Sequence, residues 1–300
     1  MIEHSIKILV AIVSLFLFYK LLTLTPLKKE RLLAVPKKIP LLFTGLIANI
    51  ADTLGIGSFA IIVALNNRWK FVNDKKIPGT LNGQAVLPAM LQSLLFLHVI
   101  ELDITLLIGY VLSACLGGIV SGYLVARLDQ QSIRIAMCFG FFGIGSLILA
   151  NQLGLLPVGG EEVSLSPGKF VVGLPALFLA GMLPAIGVGL YVPIQVILFF
   201  LGLSPLVAFP IMTTAGVFAQ SVALYPFIRN KEVPIQETLY LTFAGVVGVL
   251  LAVPFVTWVD PSHLRWLLLF IVFYNVIATW RSYQQDKEAD ANLDRFAPHP

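Results

Sequence analysis

Apolar residues dominate nine stretches of the chain, and short polar segments separate them. The stretches are 5–24, 39–65, 80–99, 103–125, 133–153, 169–201, 205–228, 236–258 and 262–281. A helix needs about 20 mainly apolar residues to cross the hydrocarbon of a bilayer. The pattern therefore predicts an all-α polytopic membrane protein, in which the run at 5–24 is a retained first helix.

Two of these stretches, 39–65 and 169–201, are longer than a single crossing needs. Each contains a break with glycines, from Asn49 to Ser58 in the first and from Gly181 to Leu190 in the second. An apolar half-helix follows each break, and then a loop and a longer helix that carries polar residues. Paired interrupted segments at corresponding positions of two halves are typical of a transporter binding site.

The two breaks and the helices that follow them can be superposed. The matching positions are Gly55 with Gly187, Gly57 with Gly189, Asp52 with Pro184, and the pair Gln92-Ser93 with Gln220-Ser221. This correspondence indicates an internal duplication.

Loop charges predict how the chain crosses the membrane. The loops 20–38 and 66–79 are both rich in Lys and Arg, and such loops remain in the cytoplasm. Both can be cytoplasmic only if 39–65 enters the membrane and returns as a re-entrant hairpin. A second such hairpin at 169–201, entering from outside, places the remaining basic loops inside. The competing topology, in which each long segment crosses once, puts 66–79 outside.

The predicted fold therefore has two inverted repeats, each a glycine-containing hairpin followed by three transmembrane helices. An odd number of crossings per repeat inverts the second repeat relative to the first. The expected divisions are an N-terminal helix with a basic loop (1–38), repeat 1 (39–168), repeat 2 (169–281) and a polar cytoplasmic tail (282–300). The N-terminus is expected outside and the C-terminus in the cytoplasm of a multi-pass cell-membrane protein.

Composition supports a membrane protein and argues against binding of nucleic acid, metal or cofactor. Only 12% of the residues are charged, about half of what a soluble domain carries. The net charge of +4 comes from Lys and Arg in the loops, so a nucleic-acid partner is not expected. Cys115 and Cys138 lie in apolar runs without further ligands at metal-binding spacing, so neither a metal nor a cofactor is expected.

Glycine breaks inside the membrane can build an anion site. Non-helical backbone is tolerated there only where protein buries it or where it lines a cavity. A half-helix that begins at such a break directs free N–H groups and a positive dipole end into that cavity. Two opposed hairpins would bring two such ends together. The alternative is that the glycines only allow close helix packing.

Asp52 is the single most informative residue, because a carboxylate is costly inside a bilayer. It stands three residues before Gly55, where it could cap the second half-helix. It could instead carry a proton coupled to transport, or have no role beyond packing. Its counterpart Pro184 has no titratable group, so the two repeats are not chemically equivalent.

Polar and glycine positions at the breaks are the candidate substrate-binding residues. They are Asn49, Asp52, Thr53, Gly55, Gly57, Ser58, Thr80, Asn82, Gln84, Gly187, Gly189, Tyr191, Thr213 and Thr214, with Gln92, Gln195 and Gln220 as further polar candidates. Amides and hydroxyls can donate to an oxyanion, but each could equally form an interhelical hydrogen bond. No catalytic set is present, since Gly57-Ser58 lacks the G-x-S-G pattern of a serine hydrolase, and the chain is not expected to be an enzyme.

The sequence resembles the sulfite exporter TauE/SafE family, also called the 4-toluene sulfonate uptake permease family. In the first half, the resemblance rests on Gly45, on Ile50 to Gly57 and on Gly79 to Gln84. In the second half, it rests on Gly181 to Pro193 and on Pro205 to Thr214. The glycine runs are thinner than is usual in that family.

The resemblance covers about 39 to 280 and implies a secondary transporter of small anions such as sulfite, sulfonates or other organosulfur compounds. A lysine frequent in the family is replaced by Gly83, so an anion contact from that position is not expected. Export is the favoured direction. An H⁺- or Na⁺-coupled importer that uses Asp52 is the alternative within this class, and a membrane scaffold or sensor without transport is the alternative outside it. Expected partners are the anion, the lipid bilayer and, as an option, a second copy of the chain.

The hairpin topology predicts a labelling pattern. In a chain whose Cys115 and Cys138 are replaced by alanine, Lys29→Cys and Lys75→Cys should react with a membrane-impermeant thiol reagent from the same side, the cytoplasmic one. Labelling of these two positions from opposite sides would contradict the hairpin and the inverted repeat together.

Overall fold

The computed structural model describes residues 2–24, 35, 37–55, 57–96, 103–157, 159–255 and 261–296. These residues form eleven α-helices. They are α1 (Ile2–Leu24), α2 (Lys38–Thr53), α3 (Ser58–Trp69), α4 (Ile77–Phe96), α5 (Ile104–Val125), α6 (Gln130–Gln152), α7 (Pro167–Met182), α8 (Tyr191–Phe200), α9 (Pro205–Arg229), α10 (Ile235–Ala252) and α11 (Pro261–Phe296). Short 3₁₀ helices lie at Asp74–Lys76, Leu183–Ile186 and Val253–Phe255. The predicted all-α class is confirmed.

Helices α2 and α3 fold back on each other as a hairpin. At its open end, the Lys37 ammonium donates to the carbonyl oxygens of Trp69 and Lys70. The Phe43 and Trp69 rings meet edge to face, with centroids 6.1 Å apart. The chain therefore enters and leaves this unit at the same place, and the hairpin predicted for 39–65 continues to Trp69.

Helices α7 and α8 form a second hairpin, with the 3₁₀ helix Leu183–Ile186 at its tip. The N–H of Glu162 donates to the Gly202 carbonyl at 3.1 Å. The Lys169 ammonium lies 2.7 Å from the Glu162 carboxylate. These contacts join the start of α7 to the end of α8, so this unit also begins and ends at one place.

The two hairpins open at opposite ends of the molecule, and α5 extends from one of these ends to the other. Near its start, Tyr110 stacks on Phe170 of the second hairpin with centroids 5.3 Å apart. Beyond its end, the Ala126 carbonyl accepts a hydrogen bond from Asn230 at 2.8 Å. The 22 residues of α5 span about 33 Å at 1.5 Å per residue.

The end that contains Ala126 is held together by ion pairs, and we call it the basic end. The Arg134 guanidinium lies 2.7 Å from the Asp74 carboxylate and donates to the Ser282 carbonyl of α11 at 3.0 Å. Lys75 lies 3.1 Å from Glu232. These contacts tie the open end of the first hairpin to α6, α11 and the loop before α10.

Six stretches of the described residues are long and apolar enough to cross a membrane. They are Ile104–Val125, Gln130–Gln152, Pro167–Ile186, Pro205–Arg229, Ile235–Phe255 and Arg265–Gln285. Large apolar side chains such as Phe139 and Phe270 are 71% exposed on these helices, as is expected of a surface that meets lipid. Helix α4 is not among the six; it lies in the centre and carries buried polar residues.

Each half of the chain covers the hairpin of the other half. Helix α2 packs along α10, and α7 packs along α5; likewise α3 packs on α11 and α8 on α6. Glycines bring the backbones together in both main pairs, Gly45 against the Leu241 carbonyl and Gly117 against the Phe178 carbonyl.

Helix α11 continues without interruption from Pro261 to Phe296. The residues from 282 to 296, which were expected to form a polar tail, therefore belong to this helix.

Close packing at Gly117 predicts a stability difference between two glycine variants. A Cβ atom at Gly117 would lie 2.0 Å from the Phe178 carbonyl oxygen, whereas a Cβ at Gly143 meets nothing within 4 Å. Gly117→Ala should therefore lose about 1–3 kcal/mol, seen as a lower midpoint of thermal unfolding in detergent, and Gly143→Ala should not. Equal midpoints for the two variants would contradict this packing.

Candidate functional site

The tips of the two hairpins depend on glycines that adopt positive φ. Gly55 and Gly57 both have φ of 87°, and Gly187 has φ of 79°. Residues with a Cβ rarely adopt this conformation. The predicted match of Gly55 with Gly187 therefore extends to the backbone, whereas Gly189 does not share the positive φ of Gly57.

Asp52 caps the helix that begins at the first tip. Its Oδ1 accepts a hydrogen bond at 2.6 Å from the N–H of Ser58, the first residue of α3. A carboxylate at this place satisfies a free helical N–H and complements the positive end of the helix dipole. The contact that the capping hypothesis predicted is present.

Gln92 of α4 links the two tips through its side-chain amide. Its Nε2 donates to Asp52 Oδ2 at 3.0 Å and to Thr53 Oγ1 at 3.0 Å. Its Oε1 accepts at 3.1 Å from the hydroxyl of Tyr191, the first residue of α8. Gln92 has no solvent exposure, so one buried amide joins the end of α2 to the start of α8.

The orientation of this amide follows from its neighbours. The Thr53 hydroxyl donates to the Asn49 carbonyl at 2.8 Å, so it can only accept from Gln92. The amide NH₂ must then face Thr53 and Asp52, and the amide oxygen must face Tyr191. The donor and the acceptor of each hydrogen bond made by the Gln92 side chain are therefore defined.

A small cavity lies between the tips. It has a volume of about 30 Å³, and a space for one water needs about 10–15 Å³. The hairpin tips supply Asp52, Gly57 and Ser58 from the first and Gly189, Leu190, Tyr191 and Val192 from the second, and α9 supplies Gln220. The apolar walls of the cavity are Phe59, Ala60, Phe141, Ile144, Leu268 and Val272. The N-terminal ends of α3 and α8 both reach this cavity.

The predicted site residues separate into four groups, the last of which lies away from the cavity. Those that border the cavity are Asp52, Gly57, Ser58, Gly189 and Tyr191. Thr53 and Asn49 lie next to these residues: Thr53 accepts from Gln92 and donates to the Asn49 carbonyl. The Asn49 side chain donates to Gln84 at 3.1 Å. Gly55 borders a neighbouring cavity of about 20 Å³, together with Gln195.

The remaining predicted residues lie away from the cavity. Thr80 donates to the Lys76 carbonyl of the preceding 3₁₀ helix. Thr213 donates to the Phe209 carbonyl of its own helix, and Thr214 lies 3.1 Å from Ser93. Asn82 donates to the Pro184 carbonyl at 2.8 Å and so supports the second tip. Gly187 packs near Leu81 and Met137 of neighbouring helices.

The sequence indicates Gln92 and Gln220 as polar candidates, but not the different surroundings of their side chains. It gives no sign of the apolar cavity walls that α6 and α11 supply, such as Phe141 and Leu268. A phenylalanine or leucine in a membrane helix carries no local signal, because most of its neighbours are equally apolar.

Residues 170–299 match the model of a protein family, Sulfite exporter TauE/SafE. The predicted family resemblance is confirmed by this match. It includes most of α7 and all of α8 to α11, and thus the second tip with Tyr191 and Gln220. For the first half of the chain, the TauE/SafE resemblance stays a prediction. No curated protein and no solved structure was found to match the chain.

The TauE/SafE match and the long apolar helices together support a multi-pass transmembrane transporter. A transporter family agrees with the expectation that the chain is not an enzyme. The family description names sulfite, which is a small oxyanion.

The tip network predicts an order of stability for variants of Asp52. Asp52→Ala would leave the Ser58 N–H and one Gln92 N–H without their partner, at a cost of about 1–3 kcal/mol. Asp52→Asn should lose less, because its oxygen can still accept from Ser58 while its NH₂ opposes that of Gln92. Thermal unfolding in detergent should rank the native protein above Asn and Asn above Ala.

Asp129 provides a matched control for this series. It caps α6 by accepting from the Ser132 N–H at 3.3 Å, far from the tips. Asp129→Ala should therefore lose only about 1 kcal/mol, the value of a cap. If Asp52→Ala is no less stable than Asp129→Ala, Asp52 does not hold the tips together.

Proposed function

We propose that the chain is a secondary transporter that exports small sulfur oxyanions, sulfite foremost, across the cytoplasmic membrane. The observation that carries this proposal is the cavity at which α3 and α8 both begin. Free N–H groups and the helix dipole make a helix N-terminus attractive to anions. The TauE/SafE match supports the choice of a sulfur oxyanion.

We further infer that the two halves are inverted repeats. Three features support this: the hairpins open at opposite ends, each half packs on the hairpin of the other, and Gly55 and Gly187 share a positive φ. The basic end then faces the cytoplasm, because Lys and Arg are retained there. Each hairpin leads from one side of the membrane to the shared cavity, as alternating access requires.

The size of the cavity and the membrane potential favour a small exported anion. A volume of about 30 Å³ suits a compact inorganic oxyanion better than an aromatic sulfonate. An inside-negative potential favours the exit of a monoanion by about 2.3 kcal/mol per 100 mV. Export therefore needs no coupling ion, whereas uptake of the same anion would.

Flux measurements in proteoliposomes test the proposal. Purified protein should release trapped sulfite faster than protein-free vesicles, and an inside-negative potential should increase the rate without a Na⁺ or pH gradient. Gly57→Val should abolish the flux, because Gly57 has φ of 87° and a β-branched residue cannot follow it. Gly143→Ala, at an open position, should retain the flux.

Three outcomes distinguish the alternatives. If sulfite, thiosulfate and methanesulfonate all leak no faster than from protein-free vesicles, the chain is not a transporter of these anions. Uptake that requires a pH gradient, and loses that requirement in Asp52→Asn, would identify a proton-coupled importer instead. Equal flux by Gly57→Val and the native protein would place the transport path away from the first tip.

A further inference from the structure

Gln92 and Gln220 occupy equivalent places but differ in their partners. Each is the sixteenth residue of its helix, which begins at Ile77 for α4 and at Pro205 for α9. Gln92 hydrogen-bonds to three side chains. Gln220 is only 6% exposed, yet its Oε1 has no hydrogen-bond partner within the described part of the chain. It borders the cavity between the tips.

The reason for this difference lies in the residue that precedes each glycine break. At the first tip, Asp52 supplies a carboxylate that accepts from Gln92. At the second tip, the corresponding residue is Pro184, whose carbonyl oxygen already accepts from Asn82. Among the described residues that border the cavity, the only carboxyl group is therefore that of Asp52 at the first tip.

The helix that begins at the second tip also has N–H donors without an acceptor inside the helix. The first intrahelical hydrogen bond of α8 runs from the Ile194 N–H to the Leu190 carbonyl at 3.0 Å. Tyr191 and Val192 precede that bond, so their N–H groups have no acceptor within the helix. Both residues border the same cavity as Gln220.

We propose that the transported oxyanion binds at the second tip, in the place that the Asp52 carboxylate occupies at the first. It would accept hydrogen bonds from the N–H groups that begin α8 and from the side-chain amide of Gln220. The contacts of Asp52, 2.6 Å to the Ser58 N–H and 3.0 Å to Gln92, represent the geometry of such a complex. This inference rests on the proposed function and assigns one half of the cavity to the anion.

The chemistry of the two tips favours this half of the cavity. The donors at the first tip, the Ser58 N–H and the Gln92 amide, are already used by the Asp52 carboxyl group. The Gln220 amide can turn by half a rotation to present its NH₂ group in place of its oxygen. Among the residues that border the cavity, none is a lysine or arginine. Neutral donors alone hold an anion weakly enough to release it, as transport requires.

Variants of the two glutamines separate a ligand role from a structural role. The measurement is thermal unfolding of the full chain in detergent, with sulfite, thiosulfate or methanesulfonate titrated as the anion. A ligand that binds only the folded protein raises the unfolding midpoint, and the stabilisation grows with the logarithm of 1 + [ligand]/Kd. Gln220→Leu should weaken the apparent anion affinity about tenfold or more. Its midpoint without anion should be unchanged or higher, because an unpaired buried amide is removed.

Gln92→Leu is the matched control and should behave in the opposite way. It deprives Asp52, Thr53 and Tyr191 of their shared partner, so its midpoint without anion should fall. Gln220→Glu should place a carboxylate at the second tip and abolish the stabilisation by added anion.

The outcomes are distinct. If Gln220→Leu keeps the native anion affinity, or if it lowers the anion-free midpoint as Gln92→Leu does, the assignment of Gln220 is overturned. If the native protein transports sulfite while both Gln220 variants transport it equally well, the anion binds elsewhere and the proposed function stands. If the native protein neither responds to nor transports any of the three anions, the proposed function itself fails.

Discussion

The side-chain amide of Gln92 holds the two hairpin tips at one point. Backbone that leaves helical geometry inside a membrane has no water to satisfy it and must find partners within the protein. Asp52 satisfies the first N–H of α3, and Gln92 in turn holds Asp52, Thr53 and Tyr191. The long helices around this linkage keep it at the centre of the protein.

Glycine has two separate uses in this chain. At Gly55, Gly57 and Gly187 it allows the positive φ that turns each tip. At Gly45 and Gly117 it lets helices from opposite halves approach until backbone meets backbone. In lipid, close packing replaces the hydrophobic effect as the force between helices. Glycine therefore turns the chain at the tips and allows close helix packing at other positions.

The two tips each turn at a glycine of positive φ, but only the first has a carboxyl group before that glycine. The first tip carries its own carboxyl group, that of Asp52, which accepts hydrogen bonds from a helix start and from a glutamine. The second tip has Pro184 in the corresponding position, and the amide oxygen of Gln220 has no hydrogen-bond partner among the described residues. In the proposal made above, the second tip offers a mobile anion the surroundings that the Asp52 carboxyl group has at the first tip.

The sequence by itself determined the helices, the two broken segments, the return of each hairpin and the capping role open to Asp52. These follow from local patterns: apolar run length, glycine spacing, loop charge, and a carboxylate close to the helix it caps. Only the tertiary structure decided which polar side chains face the cavity. It directs Tyr191 and Gln220 towards the cavity and places Thr80 and Thr213 elsewhere. A helix with lipid on one side and protein on the other has no aqueous face, so its sequence does not indicate how it is rotated about its axis. Packing between distant halves of the chain determines that rotation.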